Sequence, residues 1–563
     1  MESIFFQITV VISLAAILSI IFRLLKQPAV LAYILTGIVL GPLGLFHVTS
    51  GDALHTLGEL GITILLFMLG LELRLSELRS IGKTVLIAGF LQMWFTFFAG
   101  FFLTLALGLD RVSAIYIAIA IAFSSTIIIV KLLSDKKDLT SLHGKLAVGI
   151  LLAQDLVAIL TIVFLPSVRS ISGASFAMST VFLVGKVIIL FAVVAYLSKA
   201  VFPRLMHVIA RSSESLFLFS LAWMFILTAV VTSPWVGFSV EIGGFLAGLA
   251  LANSHENFQI IAKMKPLRDF FITIFFVMLG LEMSFTHIQA VILPAITLSL
   301  FALVIKPLIV MLLVSFLGYQ KRTSFLTGLS MGQVSEFSLI IMFLGSSLGL
   351  ISGSVVTLIV LVAIITFTIS TYVMQNNSLL YRDLAKHLGF LEGRQITFAH
   401  EESLNETIRT LKNHVIIVGG HQMGESILQS LDDDEQTLVV DFDPDRVDML
   451  RKKGVLSFFG DIADSEIQER VGIDRAKLVI STVPDIDDNL LLIEGVSHMN
   501  RRAKIVVIAL DPDEAKQLYK AGADYVVMPH LAGGRHLAKI LKDDNHAEAF
   551  AAFKKRDLLT LAS

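Results

Sequence analysis

One carboxylate stands where the chain can least easily carry a charge. Asp155 lies in the stretch LLAQDLVAIL, flanked by apolar residues on both sides. An ionisable group at membrane depth is costly unless it is occupied or neutralised, so such a residue is a functional candidate by default. A carboxylate there binds a cation or a proton but cannot easily sit empty and charged. A site that must be filled by one or the other before it crosses couples their two fluxes, and that is the chemistry of exchange. Gln154 beside it offers a neutral carbonyl in place of a second charge. The pair then holds one carboxylate, Asp155, as the site for a monovalent cation, and one-for-one electroneutral exchange is the expectation.

Lys306, in ALVIKPLIV, is the other deep charge. It either neutralises Asp155 in the ion-free state or runs its ammonium to the cytoplasmic face, and pairing is the expected role. Two further polar clusters interrupt apolar runs: Ser124, Ser125 and Thr126 in AFSSTIII, and Gln333 and Glu336 in GLSMGQVSEFS. They are one fixed offset apart, since 333 minus 123 is 210. Equivalent interrupted helices would bring backbone carbonyls and helix ends to the membrane midplane, where non-helical backbone is tolerated only beside a cavity or within protein.

The elements that carry these residues are membrane spans. The chain has 563 residues, of which 55% are hydrophobic and only 16% charged, which excludes a soluble protein and places it in a lipid bilayer. Cysteine is absent, so thiolate metal sites and thiol nucleophiles are excluded. At roughly 20 apolar residues per helix the expectation is about 13 transmembrane helices between Ser3 and Met374. The first run, from Ser3, reads as a retained helix, not a cleaved signal. Lysine and arginine gather in alternate loops, which puts the N-terminus outside and the charged C-terminal region in the cytoplasm. MLGLE occurs at Met68 to Glu72 and again at Met278 to Glu282, and LAYILTGIVLG (Leu31 to Gly41) resembles GGFLAGLALA (Gly243 to Ala252) at nearly the same offset. A six-plus-one-plus-six inverted repeat accommodates both pairs, with the two pentapeptides as helix ends on opposite faces.

Beyond a polar stretch the pattern becomes short β runs alternating with helices, so the chain divides into a transmembrane domain at 1–381, a linker at 382–413 and a nucleotide-binding domain at 414–563. HVIIVGGHQMGESI is a strand, a glycine turn and a helix start, a Rossmann-like α/β signature. Gly419 and Gly424 fit the glycine fingerprint, while His421 stands at its middle glycine and Met423 precedes its last. Asp441 or Asp443, after the second strand, is the candidate ribose partner. His421 either crowds a pyrophosphate, favouring a mononucleotide, or points away. No catalytic base or hydride acceptor accompanies the fingerprint, so a sensor is expected in place of an enzyme.

The LFMLGLEL, FSST, QD, deep-lysine and GQVSEF elements, in this order and followed by a nucleotide-binding domain, resemble the monovalent cation:proton antiporter-2 family, in particular its Kef-type branch. The resemblance implies elevator-like exchange of K+ or Na+ for H+, with Asp155 as carrier, Lys306 as its partner and crossed unwound helices at Ser124 to Thr126 and Gln333 to Glu336. The C-terminal region resembles the KTN or RCK domains of such carriers. That implies Asp441 on a ribose, Asp461 beside an adenine and Thr482 at the phosphates, with AMP or NAD(H) as a regulatory ligand and no tightly bound catalytic metal. It also implies a homodimer, formed through both domains in an inner membrane, without a nucleic-acid partner. The alternatives are a Na+/H+ antiporter of the same family and, more distantly, a nucleotide-gated channel. A channel of that kind needs a carbonyl filter such as TVGYG, which the sequence lacks.

Overall fold

The computed structural model describes residues 4–44, 52–72, 83–136, 138–168, 185–186, 189–190, 192–209, 212–254, 256–285, 288–384, 387–391, 407–431, 435–541, 550 and 553–554. The chain forms two compact units, Met1–Leu139 with His143–Gly393, and Thr140–Leu142 with Arg394–Ser563.

The first unit is helical because a chain in hydrocarbon must satisfy its backbone internally. Its helices include α1 (Ile4–Leu24), α2 (Ala29–Leu40), α3 (Asp52–Glu72), α4 (Lys83–Ala106), α5 (Arg111–Ala122), α6 (Thr126–Asp135) and α7 (Leu142–Val168). They continue with α8 (Ser213–Thr232), α9 (Val240–Leu251), α10 (Asn257–Leu281) and α11 (Ile288–Leu300). Last come α12 (Lys306–Phe316), α13 (Lys321–Ser330), α14 (Glu336–Ser347) and α15 (Gly353–Gln375). A π-helical turn, Phe301–Ile305, joins α11 to α12 and delivers Lys306 at its end. Among the described residues, eight helices are long and apolar enough to cross a membrane. The second and ninth expected spans are helices of only 12 residues, α2 and α9. In the first half of the expected linking span, Val181 to Phe202, residues 181–184, 187–188 and 191 lie outside the described residues.

Packing sorts these helices into two sets. In one, α3 and α10 lie together, flanked by α1, α2, α8 and α9; in the other, α4, α5, α6 and α11 to α15 pack on one another. Small residues let the first set close. A β-carbon on Gly37 would strike the Val277 carbonyl, and one on Gly248 would strike the Phe67 carbonyl. Reciprocally, Gly280 faces the Ile34 carbonyl and Gly70 the Phe245 carbonyl. The two crossings correspond position by position, with Phe67 and Val277 offset by 210 (277 minus 67) and Ile34 and Phe245 by 211 (245 minus 34). Gly70 and Gly280 are the glycines of the two MLGLE copies, so the pentapeptide is kept where backbones cross without side chains between them.

Because the obstacles are carbonyls, which cannot swing aside, Gly248→Ala should destabilise the protein by about 1–3 kcal/mol through overpacking. Gly353→Ala, whose β-carbon would meet nothing within 4 Å, should leave the thermal midpoint in detergent unchanged. Equal midpoints for the two variants would contradict the close crossing.

The second unit is a six-stranded parallel sheet in the order β3-β2-β1-β4-β5-β6. Its elements run β1 (Val415–Val418), α16 (Gln422–Leu428), β2 (Thr437–Asp441), α17 (Pro444–Lys452), β3 (Ser457–Phe459), α18 (Ser465–Arg470), β4 (Leu478–Ser481), α19 (Ile486–Met499), β5 (Lys504–Ile508), α20 (Pro512–Ala521) and β6 (Tyr525–Val527). Ile416, Val418, Leu438 and Val440 enter one core, while Val415, Ile417 and Val439 enter the other. Burial on both faces is why these strands read as unbroken apolar runs. The chain reverses direction across the sheet between β1 and β4, which leaves a crevice at the carboxyl ends of those strands.

Candidate functional site

Two helix interruptions cross in the second helical set. At the first, α5 ends at Ala122 and Ser125 caps α6, its Oγ accepting from the Ile128 amide at 3.2 Å. At the second, Ser335 caps α14, its Oγ accepting from the Phe337 amide at 3.1 Å while Ser338 Oγ accepts from the Ser335 amide at 3.2 Å. These caps satisfy the amides a helix start leaves open. The breaks are tied to each other: Ser124 Oγ donates to the Met331 carbonyl at 3.2 Å, Ser338 Oγ to the Ala120 carbonyl at 2.5 Å, and the Ile127 amide to Glu336 Oε1 at 3.4 Å.

Lys306 sits where the two breaks meet. It is fully buried, and its Nζ donates to the Phe123 carbonyl at 2.6 Å and the Gln333 carbonyl at 2.8 Å, the two positions related by the 210-residue offset. Both carbonyls lie at the carboxyl side of a helix, where partial negative charge favours a cation. The ammonium is therefore a common cap for two helix ends in this structure. Its bonds go to these carbonyls where pairing with Asp155 was expected, and full burial rules out a run to the membrane surface here.

Asp155, on α7, is half-buried, and both of its carboxylate oxygens lie within reach of the Thr126 hydroxyl, at 3.0 and 2.9 Å. Thr126 opens α6, so the carboxylate stands at the positive end of that helix. Gln154 does not turn its carbonyl to the same place. Its Oε1 accepts from the Ser124 amide at 2.7 Å, because the break leaves that donor without a helical partner. Gln333 likewise uses its Oε1 to accept from Ser370 Oγ at 2.6 Å.

Three supporting residues escaped the sequence reading. Gln92 on α4 bonds Gln154 and the Ala122 carbonyl, and Thr366 and Ser370 on α15 hold Val334 and Gln333. The available signals were a lone amide inside an apolar helix and two hydroxyls one turn apart in TFTIS.

In the second unit the expected ligand residues gather at the carboxyl edge of the sheet. Gly419 follows β1 with φ +87°, a conformation that favours glycine, and a β-carbon there would meet Thr482 Oγ1. Thr482, just after β4, donates its hydroxyl towards the Val418 and Gly419 carbonyls at 2.9 and 3.0 Å. Gly424 fits closely because a β-carbon would strike the Gly419 carbonyl. Asp441 ends β2 and accepts from the Gly420 amide at 2.7 Å and the Asp443 amide at 2.9 Å. Asp461, after β3, accepts from the Ala463 amide at 3.0 Å. His421 is exposed at the start of α16, and Met423 is half-buried within it. Arg446, absent from the sequence reading, spans the turn: its Nε donates to the Gly420 carbonyl and its Nη2 to Glu425 Oε2, each at 2.5 Å. Lys453 and Arg446, both donating to Glu425, hold that carboxyl below its usual range.

A helical membrane unit with a charged, crossed-break centre, joined in sequence to a parallel Rossmann-type domain, defines a multi-pass carrier with an appended domain. Residues 10–375 match the transmembrane sodium/hydrogen exchanger family, and residues 415–529 match the TrkA-N domain. The chain belongs to the sodium/hydrogen exchanger family and is a cation/proton antiporter, not an enzyme. It is 27% identical over 537 residues to the glutathione-regulated potassium-efflux system protein KefC of Cronobacter sakazakii, covering 94% of this chain and 83% of that one. It is 30% identical over 364 residues to K(+) efflux antiporter 6 of Arabidopsis thaliana, covering 63% of this chain and 60% of that one. The crystal structure of the TrkA-N domain of inner membrane protein ybaL from Escherichia coli is 28% identical, covers 24% of this chain and 99% of that chain, and has a TM-score of 0.22.

Proposed function

We propose that this chain exchanges a monovalent cation, K+ in preference to Na+, for a proton at Asp155, and that a nucleotide on its C-terminal domain regulates the exchange. The observation that carries the reading is the division of labour around the breaks. Lys306 is committed to two carbonyls, while the half-buried Asp155 has, among the described residues, the Thr126 hydroxyl as the hydrogen-bond partner of its carboxylate. A cation or a proton at that carboxylate competes for one charge, which is the condition for coupled exchange. Thr126, Ser124, Ser125, Gln154, Gln333 and Glu336 are then the shell that shapes the breaks. The preference for K+ draws on the relatives named for potassium efflux.

Elevator-like movement is supported by two helical sets that each pack mainly within themselves, with the crossed breaks in one. In this reading the protein works as a homodimer in the inner membrane, with the second unit in the cytoplasm. Proton flux in proteoliposomes under imposed K+ or Na+ gradients tests it. Flux driven by K+ and saturating with concentration is expected; cation movement without proton movement would indicate a channel.

Nucleotide binding is proposed at the Gly419 turn, with Asp441 on a ribose and Asp461 and Thr482 along the crevice. Asp443 supports Asp441 through its amide. Asp441→Ala removes the acceptor of two backbone amides beside that turn, and charged hydrogen bonds are worth about 1.5–3 kcal/mol each. Calorimetric titration of the full-length protein with AMP and with NAD should give affinities at least about tenfold weaker in the variant. Unchanged affinity for both would remove Asp441 from the site.

A further inference from the structure

We infer that Gln92 is a positioning residue that requires an amide at position 154, and so limits the exchange site to a single carboxylate. The argument rests on the reading of Asp155 as that site. Two backbone groups of fixed polarity bracket the first break: the Ala122 carbonyl can only accept, and the Ser124 amide can only donate. Between them lie two buried side-chain amides. Gln92 Nε2 donates to the Ala122 carbonyl at 3.2 Å and to Thr96 Oγ1 at 3.0 Å, which leaves Gln92 Oε1 facing Gln154. Gln154 Nε2 donates to that oxygen at 2.6 Å, and Gln154 Oε1 accepts from the Ser124 amide at 2.7 Å.

Each link fixes the next. The carbonyl dictates which end of Gln92 faces it, Gln92 then presents an acceptor to residue 154, and Ser124 presents a donor to the same residue. Only a group that donates on one side and accepts on the other satisfies both. An amide does this, and so does a protonated carboxylic acid. An ionised carboxylate does not, because one of its oxygens would face Gln92 Oε1 in a site without solvent. Reversing Gln92 moves the conflict to the Ala122 carbonyl without removing it. The charged groups around the junction are Asp155, held by Thr126, Glu336, against the Ile127 amide, and Lys306, on the Phe123 carbonyl. A second carboxylate at 154 would join two existing ones, with Lys306, the cation at the junction among the described residues, already bound to two carbonyls.

The test is a cycle in the full-length protein: Gln154→Glu, Gln92→Lys and the double variant, each assayed for antiport across a pH series in proteoliposomes and for thermal midpoint in detergent. Gln154→Glu should lose roughly tenfold or more of the wild-type rate at alkaline pH. It should regain activity on acidification, as the protonated acid reproduces the amide's donor and acceptor. Adding Gln92→Lys supplies donors to both the Ala122 carbonyl and the carboxylate, so the double variant should recover at alkaline pH and lose the acid-dependent rise. Rates that multiply independently, or a Gln154→Glu profile like the wild type, overturn the inference. Should Gln154→Glu fail to fold, restored folding in the double variant supports the coupling and continued failure overturns it. Exchange surviving in Asp155→Asn would refute the carrier reading alone, since the coupling between 92 and 154 is read separately from the thermal midpoints.

Discussion

Asp155→Asn should reduce coupled exchange to the level of protein-free liposomes while leaving the fold intact. The substitution keeps an oxygen for the Thr126 hydroxyl and nearly the same volume, and it removes the charge for which cation and proton compete. Relief from holding a carboxylate within the membrane region should keep the thermal midpoint at or above that of the wild type. Ligand linkage offers a second measurement. A cation that binds only the folded protein stabilises it by about 2.7 kcal/mol at a hundredfold excess over its dissociation constant. The wild type should therefore gain thermal stability as K+ replaces choline, and Asp155→Asn should gain none. Retained exchange, or a retained K+ effect, would move the ion site elsewhere.

What was legible in the sequence divides along a physical line. Asp155, Lys306 and the two polar clusters could be found because each violates the composition of its surroundings, and the 210-residue offset paired the breaks. The domain change was equally plain, since parallel strands buried on both faces leave short unbroken apolar runs such as Val415–Val418. Hydrogen-bond partners were not legible. Position 154 marks an amide, but nothing in QD says that its oxygen faces the Ser124 amide or that its nitrogen meets Gln92, 62 residues away. The carbonyl partners of Lys306 were hidden in the same way. Charge pairing is a sensible guess for two deep opposite charges, yet the carbonyls freed at the breaks are acceptors that do not exist in an unbroken helix. The MLGLE glycines gave up half their meaning to the sequence, as a repeat, and the other half to the structure, as reciprocal crossings.

The role of Lys306 yields the other large effect. Lys306→Met should abolish exchange and lower stability, because it leaves the Phe123 and Gln333 carbonyls buried without a donor. At about 1–3 kcal/mol for each unsatisfied group, the loss is about 2–6 kcal/mol. Lys306→Arg, which keeps charge and adds donors, should retain more of that stability wherever its larger head can be accommodated. The double variant Lys306→Met/Asp155→Asn separates a cap for two helix ends from a counterion of the carboxylate. If the ammonium chiefly neutralised Asp155, removing both charges would cost much less than removing Lys306 alone, since no uncompensated charge would remain. If it chiefly holds the breaks, the loss in thermal stability from Lys306→Met should be the same whether residue 155 is Asp or Asn, within about 0.5 kcal/mol. The observed bonds predict the second outcome. A strong rescue by Asp155→Asn would instead mean that the two charges pair in another conformation of the transport cycle, and that their pairing there dominates the energetics.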